Sequence, residues 1–343
     1  MPDATGKEQQ LVRWLRDQRS VLIGFSGGVD SAYLACVAVD ALGPDRVLAV
    51  IGRSASYPAA QWAAARGVAE RFAIPVEEID TDEMQDPRYA ANPTNRCYFC
   101  KTELWGKLVP LARERGLATV VDGTNADDRT GHRPGALAAR EHGVASPLAD
   151  VGLTKAEIRE RSRARDIPTW AQPSSPCLSS RIPYGTPVTP QRLRQVEAAE
   201  GALRALGVTG DLRVRHHGEL ARIEMAPEMI DQWATVERGE EMARAVEAVG
   251  YRRVVIDLGG FRSGSLNAGD GALRALVLAD LGLSSEVVGR VVVVRAGDED
   301  GVDGGSPEWL TDAELRRRVW ERCRAAGYAY VAAELSCAPV SRP

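Results

Sequence analysis

The sequence lacks most features that would place it at once. Six cysteines in 343 residues are too few for a disulfide scaffold, so a close pair reads as catalytic or metal-binding chemistry in a reducing compartment. Basic charge is not in excess: 43 Lys and Arg against 47 Asp and Glu leave a net charge of -4. That balance argues against a nucleic-acid binder held mainly by phosphate contacts, while leaving room for local arginine patches. No apolar run approaches the length of a membrane span, and the opening Met1-Pro2-Asp3-Ala4-Thr5 has no apolar signal core; the expectation is a cytoplasmic protein with no membrane partner. What remains, 44% hydrophobic and 26% charged residues, describes an ordinary globular chain whose length favours two domains.

One stretch organises the rest. The apolar run Val21-Leu22-Ile23-Gly24-Phe25 breaks into Ser26-Gly27-Gly28-Val29-Asp30-Ser31 and then opens a helix. Adjacent glycines let backbone approach an anion closely, and the N–H groups of a helix start point their positive dipole at it. Ser26 and Ser31 add hydroxyl donors, and Asp30 is placed to hold Mg²⁺ or orient a nucleotide. The bland alternative is a glycine turn between strand and helix. The Lys-Ser/Thr pair of a Walker A loop is absent, and what is present resembles the PP-loop of ATP pyrophosphatases, which cleave ATP between its α and β phosphates.

Strands and helices alternate from there: a helix over 29–42, a strand over 46–52 apolar on both faces, a helix over 58–72 and a strand over 75–79, as in parallel α/β sheets. Cys97-x-x-Cys100 introduces a helix running to about residue 115. A strand over 118–122 ends in Asp122-Gly123-Thr124-Asn125, polar groups at a strand's carboxyl end where open α/β sheets bind ligands. Thr154-Lys155-Ala156-Glu157 matches a capping box, with Lys155 a further candidate for a phosphate. The expected fold is α/β: a parallel-sheet PP-loop domain over 1–170, a cysteine-bearing linker over 171–189, a smaller α+β domain over 190–267, and an extension over 268–343 whose role is open. Within the last, a helix over 272–281, a strand over 291–295, an acidic loop over 297–305 and a helix over 312–326 are expected. Cys36, Cys323 and Cys337 read as structural.

The spacing Cys97-x-x-Cys100 suits a metal, a redox disulfide or an iron–sulfur cluster. A structural zinc needs further ligands, commonly a second such pair, and none exists. Cys177, in the Pro- and Ser-rich loop, is the third thiol. Three thiolates without an evident fourth suit a 4Fe-4S cluster with one iron left open, against a mononuclear metal or plain thiols. On the strand Arg213-Val214-Arg215-His216-His217, alternation puts Arg213 and Arg215 on one face as a phosphate or carboxylate clamp; the alternative is a pair of solvent-facing arginines. Glu200 and Glu224 nearby balance that charge or bind a metal.

Six segments taken together resemble the LarE-type ATP-dependent sulfurtransferases: Ser26 to Ser31; Arg96-Cys97-Tyr98-Phe99-Cys100-Lys101; Asp122 to Asn125; Cys177-Leu178-Ser179-Ser180-Arg181 with Pro183-Tyr184-Gly185-Thr186; Arg213 to His217; and Gly260-Phe261-Arg262-Ser263-Gly264-Ser265-Leu266-Asn267. They occur in the family's order between about residues 8 and 267. The resemblance implies ATP, Mg²⁺ and a carboxylate of pyridinium-3,5-biscarboxylic acid mononucleotide as reactants, giving an acyl-adenylate and pyrophosphate. Sulfur then displaces AMP to leave a thiocarboxylate on the way to the nickel-pincer nucleotide of lactate racemase. It implies Ser26, Gly27, Gly28, Asp30, Ser31, Gly123, Thr124, Asn125 and Arg181 at the nucleotide, and Arg213, Arg215, Glu200 and Glu224 at the substrate. In one family version a lone cysteine at the position of Cys177 gives up its own sulfur. In the other, three cysteines hold a 4Fe-4S cluster that carries sulfide from an external donor, and Cys97, Cys100 and Cys177 match this type. Family members form homo-oligomers. The rivals are a tRNA thiolase of the same superfamily, an amidotransferase-type synthetase, and an iron–sulfur or zinc sensor that keeps ATP as a structural ligand.

Overall fold

A computed structural model describes residues 3–130, 133–173, 177–262, 278–296 and 308–335. It resolves into two units, Met1–Ser179 with Tyr184–Pro190, and Ser180–Pro183 with Gln191–Pro343. The cysteine-bearing loop is thus shared between the two.

In the first unit, β1 (Val21–Gly24) and β2 (Val47–Arg53) are apolar on both faces, as strands covered by helices on both sides must be. With β3 (Val76–Asp80) and β4 (Thr119–Val121) they form an all-parallel sheet in the order β3-β2-β1-β4. Parallel neighbours require crossovers, supplied by α2 (Val29–Leu42), α3 (Ala59–Arg71) and α5 (Arg96–Glu114). The chain winds from β1 outward to β3 and then returns to the other side of β1 as β4. The carboxyl end of β1 therefore lies at the point where strand order reverses, where open α/β sheets bind ligands.

One sheet face is covered by α1 (Ala4–Gln18) and α2 through Leu11, Leu15 and Val37, with Leu153 and Ile158 in the same core cluster. The other packs Leu22 and Val50 against Trp105 and Leu108 of α5. Short helices α4 (Pro87–Ala90), α6 (Pro134–Glu141) and α7 (Pro147–Asp150) fill the connections. The capping box forms as expected at α8 (Lys155–Ala164): Thr154 accepts from the Glu157 amide and Glu157 from the Thr154 amide.

The second unit is a six-stranded mixed sheet in the order β5-β6-β7-β10-β9-β8. Leading helix α9 (Pro190–Ala205) precedes β5 (Leu212–His217) and β6 (Leu220–Met225), an antiparallel pair with Arg213 opposite Glu224 and Arg215 opposite Arg222. Helices α10 (Pro227–Trp233) and α11 (Val236–Glu247) lead to β7 (Arg253–Asp257). The chain beyond residue 268, set apart above as an extension, supplies β8 (Leu283–Val288), β9 (Val291–Ala296), α12 (Ala313–Ala325) and β10 (Tyr330–Glu334) to this same sheet. β10 pairs antiparallel with β7 and joins the two halves. The helix expected over 272–281 falls largely outside the described residues, and its end is a single 3₁₀ turn, Ala279–Leu281. Cys337, the loop 297–305, residues 174–176 of the cysteine-bearing loop and residues 263–267 of the last motif also lie outside them. Cys36 and Cys323 are buried, and burial raises both thiols to about 12, consistent with structural roles.

Candidate functional site

At the end of β1 the backbone turns through Gly27 at φ +67°, where a Cβ would stand 2.4 Å from the Ala65 Cβ. Only glycine fits there. Gly28 is the N-cap of α2 and makes no side-chain cap bond, so the first N–H groups of the helix are left for an anion. The loop is braced from beneath: Gln61 and Tyr57 donate to the Ser26 carbonyl at 2.9 and 3.0 Å, and Ser26 Oγ meets Ser31 Oγ at 3.1 Å. Gly123, after β4, approaches so closely that a Cβ would lie 2.9 Å from the Ser31 amide nitrogen. Thr124 is held by Asp122, which accepts from its amide at 3.0 Å and its hydroxyl at 2.8 Å. Asn125 Oδ1 accepts from the Asp127 amide at 2.9 Å, and its Nδ2 donates to Asp30 at 3.4 Å. Lys155, from the start of α8, pairs with the other Asp30 oxygen. The structure therefore gathers Ser26, Gly27, Gly28, Asp30, Ser31, Gly123, Thr124 and Asn125 around one crevice and adds Lys155 as its cation. Such a set of N–H groups, hydroxyls, a lysine and a carboxylate suits a magnesium-bound polyphosphate.

Cys97 and Cys100 stand near the start of α5, and the loop around Cys177 is tied to the same unit at several points. The Leu178 amide donates to the Ser56 carbonyl at 2.8 Å, Ser179 Oγ meets the Tyr89 hydroxyl at 2.7 Å, and Arg96 donates to the Ser179 carbonyl at 3.0 Å. Asn92, paired with Arg96, donates to the Thr186 carbonyl at 2.8 Å and closes the loop. Arg96 is buried immediately before Cys97, so one guanidinium holds both ends of the arrangement. The thiols sense one another. Crowding by protein and then Cys177 raise Cys97, while the Arg96 charge works to lower it. Burial, then Glu83 and Cys177, raise Cys100. Among the described residues no three His, Cys, Asp or Glu side chains form a group that could hold a metal ion.

The arginines of the second unit do not face solvent. Arg213, Arg215 and Arg222 are buried with Glu224 and Asp257. Arg215 reaches Glu224 at 2.8 and 2.7 Å and donates to the Ser180 carbonyl at 2.8 Å. Arg222 bridges Glu224, at 2.9 Å, and Asp257. Arg181, expected at the nucleotide, is 2% exposed and gripped by both oxygens of Glu200, each at 2.9 Å; Glu200 also accepts from the Val214 amide at 3.0 Å. Burial and then the like charge of Arg181 lower Arg213 to about 10, and its guanidinium lies over the Phe261 ring at 4.9 Å. His216 and His217 are kept neutral, lowered to about 4 and about 3, first by burial. Arg213, Arg215, Glu200 and Glu224 are thus brought together, the two carboxylates serving as counter-charges. Such a concentration of guanidinium groups suits an anionic substrate group.

Several of these residues carried no signal in the sequence. Gln61, Tyr89, Arg222 and Asp257 sit in ordinary helices and strands and Tyr57 in the turn before α3, and only their contacts reveal them.

Residues 9–95 match the NAD synthase family. The chain is 42% identical over 261 residues to an uncharacterised protein of Synechocystis, covering 76% of this chain and 97% of that one. It is 34% identical to the pyridinium-3,5-bisthiocarboxylic acid mononucleotide synthase of Lactiplantibacillus plantarum, covering 76% of this chain and 94% of that protein. A solved structure, NMN synthetase from Francisella tularensis, aligns with a TM-score of 0.40 and 21% identity over 51% of this chain and 76% of its own.

Proposed function

The chain belongs to the LarE-type PP-loop sulfurtransferases, a family of ATP-using enzymes, and on that premise we propose that it converts pyridinium-3,5-biscarboxylic acid mononucleotide to its thiocarboxylate form in nickel-pincer nucleotide assembly. The observation that carries this reading is the uncapped Gly27-Gly28 helix start with Asp30 and Lys155 beside it, in the same unit as Cys97, Cys100 and the loop of Cys177 that Arg96 holds through the Ser179 carbonyl.

A substrate carboxylate oxygen attacks the α phosphorus of ATP. The new bond is a mixed anhydride, and the bond to the β-phosphate oxygen breaks. The leaving pyrophosphate gains charge, which the α2 amides, the Ser26 and Ser31 hydroxyls and Lys155 stabilise. Asp30 is the residue to hold Mg²⁺, which would neutralise the phosphates further. Arg213 and Arg215 hold the substrate's own phosphate, with Glu200 and Glu224 keeping the guanidinium groups aligned. A sulfide nucleophile then adds to the activated acyl carbon and AMP departs; the second carboxylate is treated likewise. Cys97, Cys100 and Cys177 are the residues that would hold a 4Fe-4S cluster, which would supply a place to bind sulfide from an external donor. The protein works in the cytoplasm as a homo-oligomer.

Anaerobic reconstitution followed by iron and labile-sulfide assay, on wild type and Cys97→Ala, tests the cluster. Iron and sulfide bound by wild type and lost in the variant is the expected result. No iron in wild type, with Cys177 lighter by one H₂S after turnover, would replace it with the version in which Cys177 gives up its own sulfur.

A further inference from the structure

The segment beyond the six motifs leaves one strand edge open. Among the described residues β8 is the last strand of the second sheet and pairs with β9 alone. Their hairpin turns through Gly289 and Arg290, with Gly289 at φ +60°, a two-residue turn that makes Val288 and Val291 a hydrogen-bonded pair. Such pairs alternate along an antiparallel ladder. Val288, Glu286 and Ser284 therefore direct their backbone groups to β9, while those of Leu283, Ser285 and Val287 point away from it. The Leu283 amide accordingly donates to the Leu278 carbonyl at 3.3 Å. What faces outward is the Leu283 carbonyl and both backbone groups of Ser285 and Val287.

Soluble proteins protect such an edge with proline, lysine, a bulge or a cover. Leu283-Ser284-Ser285-Glu286-Val287-Val288 holds no proline and no basic residue, and it pairs with β9 one to one over its whole length. Its one charge, Glu286, is drawn by Arg253 and Arg295. Ser284 and Ser285 are exposed, and Val287 is 53% exposed although it stands opposite the buried Val292. The strand is also complementary to itself. Run antiparallel against a second copy with Ser285 on the two-fold axis, its outward groups meet as about four inter-chain hydrogen bonds. Val287 then lies opposite Leu283 of the copy, apolar against apolar, and Ser284 opposite Glu286, a hydroxyl donor against a carboxylate. A shift of two residues one way sets Glu286 against Glu286, and the other way carries Val287 past the end of the facing strand. Charge and length thus select a single register. We propose that β8 is a self-pairing edge through which two copies of this chain join into one continuous sheet, an isologous contact. This rests on the reading of the protein as a homo-oligomer and gives that assembly a surface in the segment beyond the six motifs.

Sedimentation velocity of the full chain over a range of concentrations, with wild type, Val287→Lys and Ser285→Pro, tests this, and circular dichroism checks that the variants fold. Proline at position 285 removes only an N–H that points away from β9. The loss falls on both copies and is expected to weaken self-association about tenfold or more; a lysine at position 287 is expected to act in the same direction. In Ser285→Cys, a short bis-maleimide is expected to link two copies through residue 285, identified by mass spectrometry, a readout that does not depend on the other variants folding. Folded variants that assemble as wild type does, or absence of the link at residue 285 in a protein that assembles, would overturn the β8 edge while leaving the homo-oligomer reading intact. Wild type that stays monomeric at every concentration would overturn both.

Discussion

Glu8 anchors the helices that carry the nucleotide loop, and its loss is predicted to loosen them in a pH-dependent way. The carboxylate accepts from Tyr33 of α2 at 2.7 Å, and from Arg161 and Arg165 at the end of α8 at distances down to 2.9 and 2.7 Å. Burial by itself raises its pKa, but the hydrogen bonds from Arg161, Arg165 and Tyr33 and the charge of Arg165 win, so the group falls from 4.5 to about 2. At about 1.4 kcal/mol per unit that difference is worth at most about 3 kcal/mol. Side-chain exposures of 22% and 25% for the two arginines admit solvent screening and trim it to about 2 kcal/mol. Because the folded value lies below the unfolded one, the contribution is complete above about pH 4.5 and is lost as pH falls toward 2. Urea unfolding of wild type and Glu8→Gln, followed by circular dichroism across this range, reads it directly. The expected gap is about 2 kcal/mol at pH 7, closing as wild-type Glu8 protonates and comes to resemble the glutamine. A gap that is absent at pH 7, or that persists unchanged to pH 2, would refute the reasoning.

Gly27→Ala, forced into positive φ with its Cβ 2.4 Å from that of Ala65, is expected to cost about 1–3 kcal/mol and to abolish ATP binding in calorimetry. Lys155→Met removes the cation paired with Asp30 and is expected to raise the KM for magnesium ATP by about tenfold, with little change in thermal stability. Arg215→Ala leaves Glu224, 0% exposed, with less of its charge compensated; a loss of about 3–5 kcal/mol in urea unfolding and of mononucleotide binding is expected, partly restored by Arg215→Lys.

The nucleotide loop was legible because its chemistry is local. Ser26 to Ser31 are contiguous, β1 is apolar on both faces, and the glycines mark the turn; Thr154 and Glu157 announce α8 by capping alone. The three thiols were read as a set from ligand count alone, whereas what ties the loop of Cys177 to the first unit is Arg96, Tyr89 and Ser56, whose hydrogen bonds to Leu178 and Ser179 cross more than 80 positions of sequence. Arg181 illustrates the opposite case. The resemblance implied a nucleotide ligand, whereas here it pairs with Glu200 in the second unit. β8 and β10 left little pattern: Leu-Ser-Ser-Glu-Val-Val alternates weakly, and Tyr-Val-Ala-Ala-Glu has few of the branched residues that mark strands. Their strand character comes from pairing with β9 and β7, a non-local cause invisible to local propensity. Arg222 and Asp257 likewise looked like strand residues of no particular interest until the sheet set Arg222 between Glu224 and Asp257.

Carboxylate activation is read most simply in the release of pyrophosphate from ATP. Incubated with magnesium ATP and a sulfide source, the protein should release pyrophosphate and AMP only when pyridinium-3,5-biscarboxylic acid mononucleotide is present, and the nucleotide should gain sulfur in place of oxygen in mass spectrometry. Pyrophosphate release that ignores the mononucleotide and depends instead on tRNA, or ATP that binds and is never cleaved, would contradict the assignment.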